Sequence, residues 1–460
     1  MIKADLLLRH GHIVTVDEDR SIYPDGAIAI SEGRIVAVGR DHDVVPAVEV
    51  GAMRDLGGAI VHPGLIDAHA HTNTDLVRSL LPESREFGVI EYPFSSTRTQ
   101  EEEYLSTLLA CMEMVASGTT LYCDTGVSKS LEASVEAIEA VGIRGMPGYF
   151  IADERIPQDA LYDRYFSPTH ATDECLAMLE KQIRNYPFRG DARVRCVATL
   201  QGSGTASDAL LQGTKALAQR ERVPMIMHQS WSVGEIEKCE SQSGKRPVEH
   251  FADLGLLGPD FTMVHMIHTN DREIDLICQH QVPIVHCPNA AIRRAMGVIR
   301  VGRFPEMLQR GVCVSLGSDG WSGKHDILRQ AYLAASMFRE FRDEVPVITA
   351  QTALEMATIH GARSLGMQDE VGSLAIGKRA DLVVHRTDRP VPMTDDPVPN
   401  LVYYNQSSSV DSVFVDGEEV FSKGRYTRFD ADAAIQRINE AAGARAKGIG
   451  IRGGTWPIKH

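Results

Sequence analysis

The sequence predicts an α/β fold, a (β/α)8 TIM barrel carrying a small composite β-sandwich to which both chain ends contribute. Three observations predict it. The middle of the chain contains eight apolar, strand-like runs. Helix-like runs with apolar residues three and four positions apart lie between them. The two flanks share another texture, short alternating segments broken by Gly, Asp and Pro, which is the pattern of a β-layer.

In chain order, residues 4–60 hold alternating segments such as "GAIAISEGRIVAVG", and residues 380–425 repeat the style in "ADLVVHRT" and "VDSVFVDGEEVFSKGR". Neither set is long enough for a sandwich of its own, so residues 1–60 and 366–430 are expected to meet in one β-domain. Between them, over 61–365, the strand candidates are "IVHPGLIDAHAH", "GTTLYCDTG", "GMPGYFIA", "RVRCVATLQ", "VPMIMH", "FTMVH", "VPIVHCP" and "VCVSLGSD". Helix candidates include "TQEEEYLSTLLACMEMVAS", "SLEASVEAIEAVG" and "TDECLAMLEKQIRNY". The first opens with Thr99 and Glu102, the spacing of a capping box. Residues 431–460 begin as an Ala-rich helix candidate and end in a Gly-rich stretch without recognisable chemistry.

The 460 residues are 43% hydrophobic and 24% charged, ordinary for a globular enzyme. The net charge of −15 is spread without a basic block, which argues against nucleic acid or an anionic membrane as partner and leaves a small-molecule substrate. Eight scattered cysteines form no CxxC pair and read as reduced thiols. No apolar run approaches membrane-spanning length. A cytoplasmic location is the expectation.

Barrel chemistry gathers at the C-terminal rim of the strands. The first barrel strand closes with "DAHAH", so Asp67, His69 and His71 share one face. The fifth ends at His228, the sixth at His265 with His268 just after it, the seventh at His286 and the eighth at Asp319. Three or four imidazoles and a carboxylate suit one divalent ion, zinc first, with iron, cobalt or manganese accepted by the same ligands. Such an ion brings the pKa of its water toward about 7, and Asp319 can serve both as ligand and as acceptor of that water's proton. Any one of these histidines alone reads more readily as a buried structural residue than as a ligand. It is the joint placement of His69, His71, His228, His265 and Asp319 at strand ends that points to a site. His268 is a candidate substrate contact, and both it and His286 fit a supporting or structural role as well, while His10, His12, His42, His250, His280, His385 and His460 have no positional argument and read as surface residues.

Taken together, "HPGLIDAHAH", "SGTT", "GKRPVEHFADLGLLG", "VHCPNA", "SLGSDG" and "VGSLAIGKRADLVV" resemble the amidohydrolase superfamily. Their order is most similar to its branch of aminohydrolases and chlorohydrolases acting on triazines, purines and related heterocycles. The resemblance implies one metal, zinc or iron, held by His69, His71, His228 and Asp319, with His265 beside the metal water or polarising the substrate. It also implies a homodimer or homotetramer. Binuclear relatives have a modified lysine or a glutamate on a middle strand; the fourth strand here offers Gln201, so a single ion is expected. Gln201 becomes a candidate substrate contact at the barrel mouth.

One departure matters. Deaminating members of the branch read His-x-x-Glu after the fifth strand, and this chain reads "HQSW", with Trp231 in the place of the acid. Without an acid to protonate the ring, an amine is a poor leaving group. The preferred expectation is therefore a hydrolase of a planar molecule with an already electrophilic carbon. It would cleave C–N of an amide, urea, carbamate or cyclic amide, or a carbon–halide or carbon–sulfur bond, with Asp319 and His265 as catalytic residues. Trp231 and Trp321 would wall the substrate. The first alternative is an aminopurine or aminoheterocycle deaminase in which Glu235 curls back toward His228, against the plainer reading of Glu235 as an exposed helix-start residue. The second is a metal-binding protein without catalysis. Residues 72–99 are expected to form a long loop over the site, with Arg78, Phe87 and Tyr92 as candidate contacts.

Overall fold

The computed structural model describes residues 1–81, 88–155, 164–165, 170–320, 323–343, 347–388, 394–405 and 407–449. The first strands are β1 (Ile2–Val14), β2 (Ile22–Ser31), β3 (Arg34–Arg40), β4 (Val48–Asp55) and β5 (Ile60–Pro63). Eight parallel strands follow in chain order: β6 (Leu65–Ala70), β7 (Thr119–Asp124), β8 (Arg144–Met146), β9 (Ala198–Gly202), β10 (Met225–Gln229), β11 (Phe261–His265), β12 (Ile284–His286) and β13 (Val314–Leu316). The last strands are β14 (Leu382–His385), β15 (Val410–Val415), β16 (Glu418–Ser422) and β17 (Arg425–Tyr426).

Strands from both flanks form one sheet of nine, in the order β17-β16-β15-β14-β5-β1-β2-β3 with β4 on β1. Alternation sorts its side chains between two faces: Leu8, Ile28, Ile30, Leu382, Val384 and Phe414 share one apolar cluster, and Leu7, Ala27 and Ala29 belong to another. The hairpins turn at Glu32-Gly33 and Asp416-Gly417, all four with φ between 49° and 74°, as two-residue turns of matching twist require. The flanks join where β5 pairs antiparallel with β14, Val61 opposite Val384. Beside that pairing, His62 Nδ1 donates to the Pro63 carbonyl at 2.7 Å and its Nε2 lies 2.9 Å from His385 Nε2. Because a carbonyl only accepts, His62 Nε2 is the acceptor and His385 the donor. His385 and His12 are buried and not surface residues, because both faces of the sheet are covered where β1 ends and along β14.

The run "IVHPGLIDAHAH" is two strands. At Gly64 the chain leaves the nine-stranded sheet and enters the parallel one, and a Cβ there would sit 2.0 Å from Thr120 Oγ1. The parallel strands form a group of three, β6 to β8, and a group of five, β9 to β13. One seam is bridged by Gly145 with Val194, the other by the Asp319 N–H bonding the His69 carbonyl at 3.0 Å. Strand β8 is shorter than the apolar run around it because Pro147 lacks the N–H a ladder needs, and β12 gives way at Cys287 to the helix Pro288–Arg293. The helix Gln100–Ala116 starts at Thr99 with the full capping box. Residues 72–99, expected as a loop, contain a 3-10 turn, Asp75–Leu80, and a helix, Gly88–Thr97. The helix Ala431–Ile449 buttresses that region from outside, with Arg445 bonding both Glu102 carboxylate oxygens at 2.8 Å.

Beneath the parallel strands, fully buried Arg144 reaches Asp381 at 3.1 Å and Asp416 at 2.8 Å. Arg379 joins Asp416 at 2.8 Å to Glu370 at 2.9 Å. This network fastens the barrel strands to the nine-stranded sheet. All eight cysteines are free. Among the described residues no helix is long and apolar enough to cross a membrane.

Candidate metal centre and active site

The centre is assembled by backbone geometry that few residues tolerate. After β13 the chain must pass close to β6: a Cβ on Gly317 would lie 2.8 Å from the His69 carbonyl oxygen, and one on Gly320 would lie 2.4 Å from that of His71. Between those glycines Asp319 takes φ 61°, while Ser230 after β10 takes 52° and His265 at the end of β11 takes 75°. Left-handed backbone at non-glycine residues is a local cost that functional sites commonly carry. Here it falls at Asp319 and His265, which face the cavity over the centre, and two residues after His228.

His69, His71, His228 and Asp319, all buried, each present one ligand atom, and the four atoms lie within 4.8 Å of one another. His69 Nε2 is 3.1 Å from Asp319 Oδ1, and His71 Nε2 is 3.1 Å from His228 Nε2. In His228 and His69 the remaining ring nitrogen is anchored. His228 Nδ1 donates to the Gln201 carbonyl at 2.5 Å, and His69 Nδ1 lies 2.6 Å from Thr125 Oγ1. Fixing Nδ1 as donor leaves the Nε2 lone pair facing the centre. Burial pushes the pKa of His69 down and that of His228 well down, so both imidazoles are neutral. Burial would raise the Asp319 carboxyl, but the His69 hydrogen bond and the surrounding imidazoles hold it far below the usual carboxylate range. Neutral nitrogens around an ionised carboxylate are the donor chemistry a borderline divalent cation takes, so the residues fit the implied metal.

His265 stands beside the four, its ring 5.4 Å from that of His228, and burial lowers its pKa to about 3. A cavity of about 900 Å³ opens over the centre. Gln201, Trp231, Tyr92 and Glu235 line it. The Gln201 amide oxygen is buried without a hydrogen-bond partner among the described residues. Trp231 is 39% exposed at the rim. His268 does not line the cavity; its Nε2 donates to the Met296 carbonyl at 3.1 Å. His286 is buried outside it, stacked on Phe304 at 3.8 Å between ring centres. Arg78 pairs with Glu113 at 2.6 Å, away from the cavity. Trp321 and Phe87 lie outside the described residues.

The correction that matters concerns Glu235. It does begin a helix, Val233–Ser243, whose N-cap Ser232 accepts from the Glu235 N–H. Its side chain is half-buried and not fully exposed. It folds back to accept the Trp231 N–H at 3.1 Å and lines the cavity with His228. Burial pushes its carboxyl up to about 7, against the opposing pull of the Trp231 and Ser230 amides. Ser232-Val-Gly-Glu235 has capping-box spacing, a sequence signal that the side chain turns toward the helix start. Arg294, also in the cavity and near Asp319 and Glu91, gave no such signal: it is one of two adjacent arginines with no spacing to mark it.

A centre of this kind at the open rim of eight parallel strands defines a class, the metal-dependent hydrolases of α/β architecture. Within that class the chain belongs to the amidohydrolase family, whose family model matches residues 60–420. It is 33% identical to the 5-methylthioadenosine/S-adenosylhomocysteine deaminase of Syntrophobacter fumaroxidans over 96% of this chain and 98% of that one. Its fold is similar to that of a zinc-bound adenosine deaminase from Xanthomonas campestris, with TM-score 0.86, 24% identity and coverage of 97% and 99%. The zinc complex of an atrazine chlorohydrolase from Arthrobacter aurescens is similar at TM-score 0.85 and 21% identity, over 95% of this chain and 100% of that one.

Proposed function

We propose that the protein is a mononuclear, metal-dependent deaminase of aminopurine compounds of the adenine-nucleoside kind, with Glu235 as its proton-transferring acid. The observation that carries this reading is the Glu235 carboxyl, folded onto the Trp231 amide in the cavity that His228 also lines; burial pushing that carboxyl up is in keeping with it. A carboxyl poised at working pH suits both giving and recovering a proton. The expectation of a hydrolase for already activated carbons rested on the absence of an acid near His228, and Glu235 removes that ground. The names of the deaminase relatives, acting on 5-methylthioadenosine and S-adenosylhomocysteine, support the same substrate class. The accompanying fold reading is a closed (β/α)8 barrel over 61–365 with a composite β-sandwich from 1–60 and 366–430.

His69, His71, His228 and Asp319 would hold the ion, which when bound supplies Lewis-acid activation of water at neutral pH. Asp319, kept ionised, takes one proton of the attacking water at its carboxylate. Glu235 enters protonated and gives its proton to a ring nitrogen, making the amine-bearing carbon electrophilic. His265, neutral, offers its N–H to the oxygen that is forming. Asp319 then passes its proton to the amine, which departs as ammonia, and the new hydroxyl returns a proton to Glu235 as the ring carbonyl forms. Water and the aminopurine are consumed, and ammonia and the oxopurine are released.

Ammonia release from adenosine, 5-methylthioadenosine and S-adenosylhomocysteine by zinc-loaded protein is the test, with Glu235→Gln measured alongside. Wild type should release ammonia, and the variant should lose about 10²–10⁴-fold in kcat with its zinc retained. A Glu235→Gln protein at the wild-type rate would remove Glu235 from the mechanism. Absence of ammonia from all three would remove deamination.

A further inference from the structure

Behind the metal centre lies a second cluster of buried ionisable groups that the mechanism does not use. Asp67, Asp75, Ser318 and His325 are each no more than 2% exposed. His325 Nε2 lies 2.9 Å from Asp75 Oδ2, and its Nδ1 lies 2.9 Å from Ser318 Oγ and 3.9 Å from Asp67 Oδ2. Asp67 in turn accepts the Ser318 N–H at 2.9 Å. The His325 carbonyl is itself fixed, accepting from Ser117 Oγ at 2.9 Å.

The places of these residues in the chain give the cluster its meaning. Asp67 is on β6, two residues before His69; Asp75 opens the turn that follows His71; Ser318 directly precedes Asp319. Two buried carboxylates with one imidazole between them favour the charged ring. Burial alone would lower the His325 pKa, but Asp75 and Asp67 outweigh it and raise it to about 10. A charged imidazole donates from both nitrogens, so one ring bonds Asp75 on one side and Ser318 on the other.

We propose that His325 is a positioning residue of the metal centre: wedged between Asp75 and the Ser318–Asp67 pair, it sets the spacing of the two segments that carry His69, His71 and Asp319. A Cβ on Gly320 would come within 3.0 Å of His325 Cε1, so the ring also backs the turn in which Asp319 takes its left-handed conformation. Without the ring, Asp75 keeps only Arg78 as an ion-pair partner among the described residues, 3.8 Å away, and the Asp319 turn loses the support that holds it against β6. The inference rests on the four-residue metal site and is independent of the role given to Glu235.

The test is zinc affinity of the full chain, measured by competition with a chromophoric chelator, for wild type and His325→Asn. The variant should bind zinc about tenfold more weakly, the scale on which outer partners tune a metal site. At saturating zinc, kcat should fall while KM stays within about twofold, since the ring does not reach the cavity. Thermal midpoints of the zinc-free proteins separate this from general loosening of the fold. If His325→Asn fails to fold, Asp75→Asn/His325→Asn, which removes the carboxylate as well as the ring, is read in the same way. Wild-type zinc affinity in whichever variant folds would overturn the assignment. Should no substrate release ammonia, the zinc measurement still decides it.

Discussion

Glu235 titrates in the range where the enzyme would work, and the sign of its effect follows from its state. Because it must enter protonated and its carboxyl sits at about 7, kcat/KM should decline above about pH 7, and Glu235→Gln should lack that alkaline limb. The same group writes a stability signature. Its pKa is raised from 4.5 to about 7 on folding, so the folded state binds the proton more tightly than the unfolded chain. Stability therefore falls as pH rises from 4.5 to about 7 and changes no further above that. Melting curves of Glu235→Gln and wild type should coincide below pH 4.5 and separate across this window, with the variant higher at pH 8. A transposition tests whether position or residue matters: Trp231→Glu/Glu235→Gln moves the carboxyl to the third place after His228, and it should recover at least tenfold of the kcat lost in Glu235→Gln alone. No recovery in ammonia release would mean that Trp231 faces away from the reacting carbon. The four metal-site positions were legible in the sequence because each follows an apolar run, and a strand end needs no tertiary knowledge to locate. Glu235 was legible only as an alternative: its capping-box spacing from Ser232 points back toward the helix start, but its final direction depends on how one helix turn folds onto Trp231. His325 was missed: its partners Asp75 and Ser318 are distant in sequence or unremarkable in type.

Elements were read well where local chemistry ends them and poorly where a neighbour does. The helix Gln100–Ala116 begins at the Thr99 capping box, and Thr99→Ala should cost about 1 kcal/mol, seen as a lower urea midpoint with unchanged steepness. In "IVHPGLIDAHAH" nothing local marks the passage from one sheet to another. The cause is Thr120, on a strand more than fifty residues away, whose side chain leaves no room for a Cβ at Gly64. Residues 72–99 show no clear helical period, since Pro93 and scattered polar residues interrupt it; the helix Gly88–Thr97 forms around that proline. Its outer face is held by Arg445, whose guanidinium lies 5.0 Å from the Phe94 ring centre.

For the whole molecule, the ionic network at the base joins the parts that sequence reading could only suppose would meet. Arg144→Met leaves Asp381 short of a partner in a buried setting and should destabilise the protein by about 3–5 kcal/mol, measured by chemical unfolding. A shift below about 1 kcal/mol would mean that the sheet and the barrel strands are fastened elsewhere. The meeting of the flanks has a further consequence, one of timing. Strand β5 finds its neighbour β14 only across a separation such as the 323 residues between His62 and His385. At a synthesis rate of about 5–20 residues per second, β5 waits on the order of 20–60 s with one edge unpaired while the parallel strands are still being made. A bare strand edge is a template for whichever chain arrives first. On a polysome, where neighbouring copies of the same nascent chain expose the same edge, that interval is when this protein is most open to pairing with the wrong partner.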